Sequence, residues 1–389
     1  MTTLYDLTPL AQMLLMVTCV VVLPLAWIWR RHPTLQARRH ALAILVLFLT
    51  FDLVLFGAFT RLSDSGLGCP DWPGCYGHSS PLGAMHAIAT EQAAMPTGPV
   101  TQVKAWIEML HRYLATAVGA LIVAMAVTSW LSWRASKRAG LATPKHELSP
   151  WWAIFTLFWV CLQGAFGALT VTMKLFPAIV TLHLAGGLVL LALLAVQVVR
   201  SDAATQRLAM SAGLRRWVAL GLTLLALQIF LGGWVSTNYA VLACTDFPQC
   251  QNRWWPEMNF SQGFEWWRHL GVTGTGEPID FSALTAIHYV HRLVAYVVLI
   301  LLGLLAWQLN RQAAWRFQSR VLAALVGLQL ATGLSNVLLD WPLLSALLHT
   351  GGAAALVLVL TWMTASTVPQ SPTRMPFGQA AFTPAGRLP

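Results

Sequence analysis

Nine runs of apolar residues, each long enough to cross a bilayer, fall at about 10–29, 41–60, 106–133, 151–172, 179–199, 217–238, 284–309, 319–338 and 343–365. A hydrocarbon core about 30 Å thick takes about 20 residues of helix to span. Within it, unpaired backbone amides and carbonyls are so costly that only helices and closed barrels cross. Runs of this length are too long for barrel strands, so the sequence predicts an all-α integral membrane protein. The chain is 57% hydrophobic and 10% charged, against about 25% charged in soluble domains. Its first residues carry no basic segment of the kind that opens a signal peptide, so the run at 10–29 is read as a retained helix.

The formal net charge is +10, but its placement excludes nucleic acid as the partner, since no aromatic-basic strip accompanies it. The basic residues gather in alternate loops. Arg30, Arg31, Arg38 and Arg39 lie between the first two spans, and Arg134, Lys137, Arg138 and Lys145 follow the third. Arg200, Arg207, Arg215 and Arg216 follow the fifth, and Arg311, Arg316 and Arg320 the seventh. With Arg374 and Arg387, one side holds 17 of the 24 Lys and Arg. The positive-inside rule therefore expects the N-terminus outside and the C-terminus in the cytoplasm of a bacterial-type inner membrane. The tail, 367–389, is rich in Pro, Gly and Ser and reads as disordered. Two long loops, about 61–105 and 239–283, fall outside.

These loops begin an internal repeat. Cys69-Pro-Asp-Trp-Pro-Gly-Cys75 matches Cys244-Thr-Asp-Phe-Pro-Gln-Cys250 at an offset of 175 residues. Glu108-Met-Leu-His111-Arg112 then matches His288-Tyr-Val-His291-Arg292, and Gln163-Gly-Ala-Phe-Gly167 matches Gln329-Leu-Ala-Thr-Gly333. His183-Leu-Ala-Gly-Gly187 matches His349-Thr-Gly-Gly352 apart from one residue of spacing. Four landmarks in one order indicate a tandem duplication. The expected divisions are an added helix and basic loop at 1–40, a four-helix repeat at 41–200, a second at 201–366, and the tail.

Cys19 and Cys161 stand alone in apolar spans and read as small packing residues. Each paired set flanks a Pro-containing turn in an outer loop, which favours structural disulfides. A redox-active pair is the sharper alternative, and no loop supplies four good zinc ligands.

His111, His183, His291 and His349 fall near the outer ends of their spans. Ionisable groups inside spans are costly and are usually functional. Two helices of a bundle that each turn one histidine inward at a common depth form an axial ligand pair for heme iron. Arg112 and Arg292, directly after two of these histidines, are candidates to pair with heme propionates, as is Arg61. Gly186, Gly187, Gly351 and Gly352 provide room for a flat macrocycle. Glu108 stands one helical turn before His111, where the second repeat has His288. A carboxylate beside one site alone suggests that this site does chemistry, with Glu108 moving protons or positioning substrate. Asp52 also lies within a span and has no matched landmark.

Gly57-Ala-Phe-Thr-Arg-Leu-Ser-Asp-Ser-Gly-Leu-Gly68 resembles the G-G-x-T-R-L-T-x-S-G-L signature of the heme A synthase family, the cytochrome oxidase assembly proteins. With Glu108-x-x-His111-Arg112, His183, His291-Arg292 and His349, the resemblance covers about 41–365. Ala58 replaces the usual second glycine, and the first span adds to the family's eight-helix core. The resemblance implies oxidation of the C8 methyl of heme O to the formyl of heme A by two successive hydroxylations. It implies that Glu108, His111 and His183 form the substrate site and that His291 and His349 hold a resident heme b. It also implies a Cys69–Cys75 disulfide, with the Cys244–Cys250 pair as its repeat. Membrane lipid and heme O are the implied partners. Contact with a heme O synthase, with cytochrome oxidase subunits or with a second copy fits the same reading, and the electron donor is not named by the sequence. The competing readings are a diheme electron-transfer cytochrome or quinol oxidoreductase, a thiol oxidoreductase, and a non-enzymatic heme carrier.

Overall fold

The computed structural model describes residues 8–140, 148–202 and 207–369. Among these, nine helices are long and apolar enough to cross a membrane. They are α1 (Thr8–Arg31), α2 (Leu35–Leu62), α4 (Gln102–Arg138), α5 (Pro150–Thr172), α6 (Pro177–Ser201), α7 (Ala212–Thr237), α9 (Phe281–Asn310), α10 (Arg316–Leu338) and α11 (Leu343–Ser366). The two long loops carry short helices, α3 (Met85–Ala94) and α8 (Phe260–Gly263). The chain is thus an all-α, multi-pass membrane protein.

The helices start where the sequence supplies caps. The hydroxyls of Thr34, Thr101 and Ser211 accept from Ala37, Lys104 and Leu214 N–H, satisfying donors that the first turn leaves free. Pro150 and Pro177 open α5 and α6, where a missing N–H costs nothing. With such caps, α2 starts at Leu35 and α4 runs for 37 residues. At about 1.5 Å per residue, α4 is longer than the apolar core is thick. Its outer end therefore lies under the first long loop.

The packing partners define two closed rings. α2 packs on α4, α4 on α5, α5 on α6 and α6 on α2; α7, α9, α10 and α11 repeat the same circuit. The rings meet through α6 against α11, α6 against α7, and α2 against α11. Exchanging the repeats maps the α6–α7 seam onto α11–α2. The α6–α7 seam is closely packed: Thr181 and Thr237 hydroxyls hydrogen-bond at 3.0 Å, and a Cβ on Gly233 would stand 3.2 Å from Thr181 Cγ2. α1 lies outside the rings, against α2 and α4. The core has a cluster for each ring, around Leu121, Ile122 and Leu194 and around Leu302, Leu305 and Leu360.

The tail departs from expectation at its first residues. Thr367–Pro369 form a strand paired in parallel with Leu208–Met210, because two connections leaving the bundle side by side satisfy each other's backbone groups. The remainder of the expected disordered tail, 370–389, lies outside the described residues.

Gly233→Leu should destabilise the protein by about 1–3 kcal/mol, the usual cost of overpacking, read as a lowered melting temperature in detergent. Gly119→Ala, where nothing lies within 4 Å of the added methyl, should not.

Candidate functional site

The four histidines occupy equivalent places. His111 on α4 and His183 on α6 stand diagonally across the first ring, and His291 on α9 and His349 on α11 diagonally across the second. Each imidazole lies against a glycine of the next helix. A Cβ on Gly57 would meet His111 Cε1 at 3.0 Å, and one on Gly232 would meet His291 Cε1 at 3.0 Å. On Gly167 and Gly333 it would stand 3.4 and 3.5 Å from Cε1 of His183 and His349. The glycine therefore lets the helix approach the Cε1 edge of the ring closely. The glycine that follows three residues after each α6 and α11 histidine has another job. Gly186 receives the amide of Gln163, and Gly352 that of Gln329, which also donates to His349 O at 2.9 Å. At this constant offset of 166 the one-residue shift read from the sequence disappears: Gly186 matches Gly352, and Ala185 matches Gly351.

The two pairs differ in what holds their outer nitrogens. His349 Nδ1 lies 2.9 Å from Thr332 Oγ1, and the Gln228 amide reaches both nitrogens of His291, Nδ1 at 3.0 Å and Nε2 at 3.3 Å. In the first ring, His111 Nδ1 and His183 Nδ1 are buried without a hydrogen-bond partner. The Phe56 ring instead stacks beside His111, centroids 6.2 Å apart. Among the described residues, no group of three or more His, Cys, Asp or Glu could hold a bare metal ion. Paired imidazoles across a ring, backed by glycines, suit a flat metal complex that supplies its own equatorial ligands.

Both cysteine pairs are disulfides, with Cα atoms 4.9 and 4.8 Å apart, and all four residues are fully buried. Both turns contain a cis X-Pro bond. In each turn the Asp carboxylate accepts two backbone N–H groups: Asp71 from Tyr76 and Gly77, and Asp246 from Gln251 and Asn252. Burial opposes the charge on Asp246, but these amides outweigh it and hold the carboxyl below the usual carboxylate range.

The turns also engage the arginines that follow the histidines. Arg112 donates to the carbonyls of Asp71, Pro73 and Gly74. Arg292 donates to those of Asp246, Gln249 and Cys244. Arg112 and Arg292, expected as propionate partners, are buried, and in this structure their guanidinium groups clamp the disulfide turn onto the histidine helix. Arg61 is engaged too, donating to Ser236 O, pairing with Asp64 and lying over the Tyr239 ring. Glu108, 3% exposed, accepts from Cys69 N–H at 2.8 Å and from Arg112. Its carboxylate thus ties the helix to the turn. His288, in the matching position, makes the analogous tie with Nδ1 to Ala240 O at 3.1 Å. Thr332, Gln228 and the four backing glycines were not singled out as histidine partners by the sequence reading. The 175-residue spacing of Gly57 and Gly232 was the available signal.

A family described as "Cytochrome oxidase assembly protein" (COX15-CtaA) matches residues 40–361. A protein named "Heme A synthase" from Shewanella oneidensis is 37% identical over 324 residues, covering 81% of this chain and 92% of that protein. Proteins of the same name from Halalkalibacterium halodurans and Caulobacter vibrioides are 26% and 25% identical, covering 76% and 82% of this chain and 86% and 92% of theirs.

Arg292→Ala should free the second turn and speed reduction of Cys244–Cys250 by a phosphine, followed by thiol labelling. Asp246 stabilises the turn above the ordinary Asp pKa, and that stabilisation is lost as pH falls through its depressed value. Asp246→Asn should therefore speed reduction at about pH 7, with the difference from wild type shrinking as pH falls below the ordinary Asp range.

Proposed function

Because the chain belongs to the COX15-CtaA family of cytochrome oxidase assembly proteins, we propose that it is a heme A synthase, an oxidoreductase that converts the C8 methyl of heme O to the formyl of heme A. The first ring takes heme O between His111 and His183. The second keeps a heme b between His291 and His349. The observation that carries this division is the asymmetry at Nδ1. Partners on the far nitrogen of a ligating histidine fix its orientation and typically contribute about 10–100-fold in metal affinity. Thr332 supplies one to His349, and the Gln228 amide lies against both nitrogens of His291, as suits a resident group. His111 and His183 lack them, as suits a substrate that must enter and a product that must leave.

Bound heme supplies the redox-active iron, and the protein supplies orientation and exclusion of water. His111 and His183 set the substrate's plane across the ring, with Phe56 beside His111. Glu108 acts as a positioning residue: its bonds to Cys69 N–H and Arg112 hold the turn over the outer end of α4. The buried disulfides favour a structural role over thiol redox chemistry, since exchange requires an accessible sulfur. The basic loops support an N-terminus outside and a cytoplasmic C-terminus. A heme O synthase as supplier, cytochrome oxidase subunits as recipients and self-association are compatible with this reading.

Expression in a membrane that supplies heme O, followed by heme extraction and separation, should yield heme A, absent from a His111→Ala control. Recovery of only heme b and heme O from intact protein given oxygen and reductant would favour the cytochrome or carrier readings. Thr332→Val should lower heme b affinity in the second ring by about 10–100-fold, read by spectral titration. Glu108→Ala should retain the resident heme b and lose most conversion, while Glu108→Gln, which preserves the Cys69 contact, should retain more.

A further inference from the structure

A cleft of about 540 Å³ opens along the α2–α11 seam, with α10 as its floor. Its walls are apolar: Phe51, Phe56 and Phe59 on α2 face Leu328 and Leu348 across it. One polar side chain lines it, Asp52, partly exposed and about one helical turn deeper in the membrane than Phe56. No hydrogen bond or ion pair is formed by this carboxyl with the described residues. An unpartnered carboxyl at this depth is costly to keep. A ligand mainly apolar, with one hydroxyl, would offset that cost. The volume is that of a small-molecule site.

Two further observations say which ligand. The cleft adjoins the first histidine pair, because Phe56 both lines it and stacks beside His111. The repeat also shows what the second site lacks. Gly57 and Gly232 make the same contact with their histidines, which fixes the alignment of α2 with α7. In that register Asp52 matches Leu227, and Phe56 matches Leu231. The matching seam, α6–α7, is filled by the Thr181–Thr237 hydrogen bond and by Thr181 and Leu184 against Gly233. The cleft and its carboxyl thus distinguish the site for heme O from the site for heme b. Those two hemes differ in one substituent, since heme O carries a long isoprenoid arm with a hydroxyl at its base where heme b has a vinyl group.

We propose that the α2–α11 cleft takes the isoprenoid arm of heme O, with the Asp52 carboxyl hydrogen-bonded to the arm's hydroxyl, and that this contact selects heme O over heme b. The inference rests on the first ring being the heme O site. The test is Soret titration of the full-length protein, purified with its resident heme, with heme O and separately with heme b. Wild type should prefer heme O. Asp52→Leu, which installs the second repeat's residue, should lower heme O affinity roughly tenfold, the worth of one hydrogen bond to a carboxylate. Its heme b affinity and resident heme content should not change. Leu348→Trp, which fills the cleft from the other wall, should also weaken heme O alone. Equal preference in wild type, or an unchanged heme O to heme b ratio in either folded variant, overturns the inference. Failure of wild type to form heme A in the same preparation overturns the synthase reading instead, and leaves the measured preference to stand on its own.

Discussion

An imidazole packed against a glycine of the neighbouring helix is the contact on which both rings depend. Side chains on two helices at ordinary spacing would hold the ring away from its helix wall. With hydrogen at the Cα of Gly57, Gly167, Gly232 and Gly333, each wall closes onto the Cε1 edge of a histidine. In hydrocarbon there is no hydrophobic drive between helices, so close packing of this kind supplies much of their association. The four contacts therefore serve the bundle and the site together.

The disulfide turns do the corresponding work at the outer surface. A turn of seven residues presents several carbonyls inward, and a single guanidinium from the histidine helix collects them. Cysteine, aspartate, proline and the His-Arg pair recur together because they form one device, in which the bridge shapes the bowl and the arginine fastens it. Glu108 adds a carboxyl to this fastening in the first repeat, whereas His288 in the second bonds to Ala240 O, ahead of the turn.

Nine spans, the duplication, the paired cysteines and the four histidines could all be read from the chain, because each is written in local pattern or in fixed spacing. The direction of Arg112, Arg292 and Glu108 could not. A long side chain beside a histidine reaches many groups in sequence terms, and only the folded turn shows the loop carbonyls that these arginines meet. Thr332 and Gln228 escaped notice because a polar residue in a span reveals its partner only when a second helix is beside it. The same holds for Asp52, whose meaning depends on α11, nearly three hundred residues away in the chain. The strand at Thr367–Pro369 was hidden by a composition that suggested no order.

Among the described residues, the seam between α2 and α11 brings the second helix against the last. The first ring contains both of its histidines once α6 has been made, yet one side of its cleft is built from the final helix. The halves produced by the duplication are therefore no longer interchangeable parts. A chain that stopped after α6 would carry His111, His183 and Asp52 with the wall opposite Asp52 missing. The α2–α11 cleft is completed only when the second ring is nearly made.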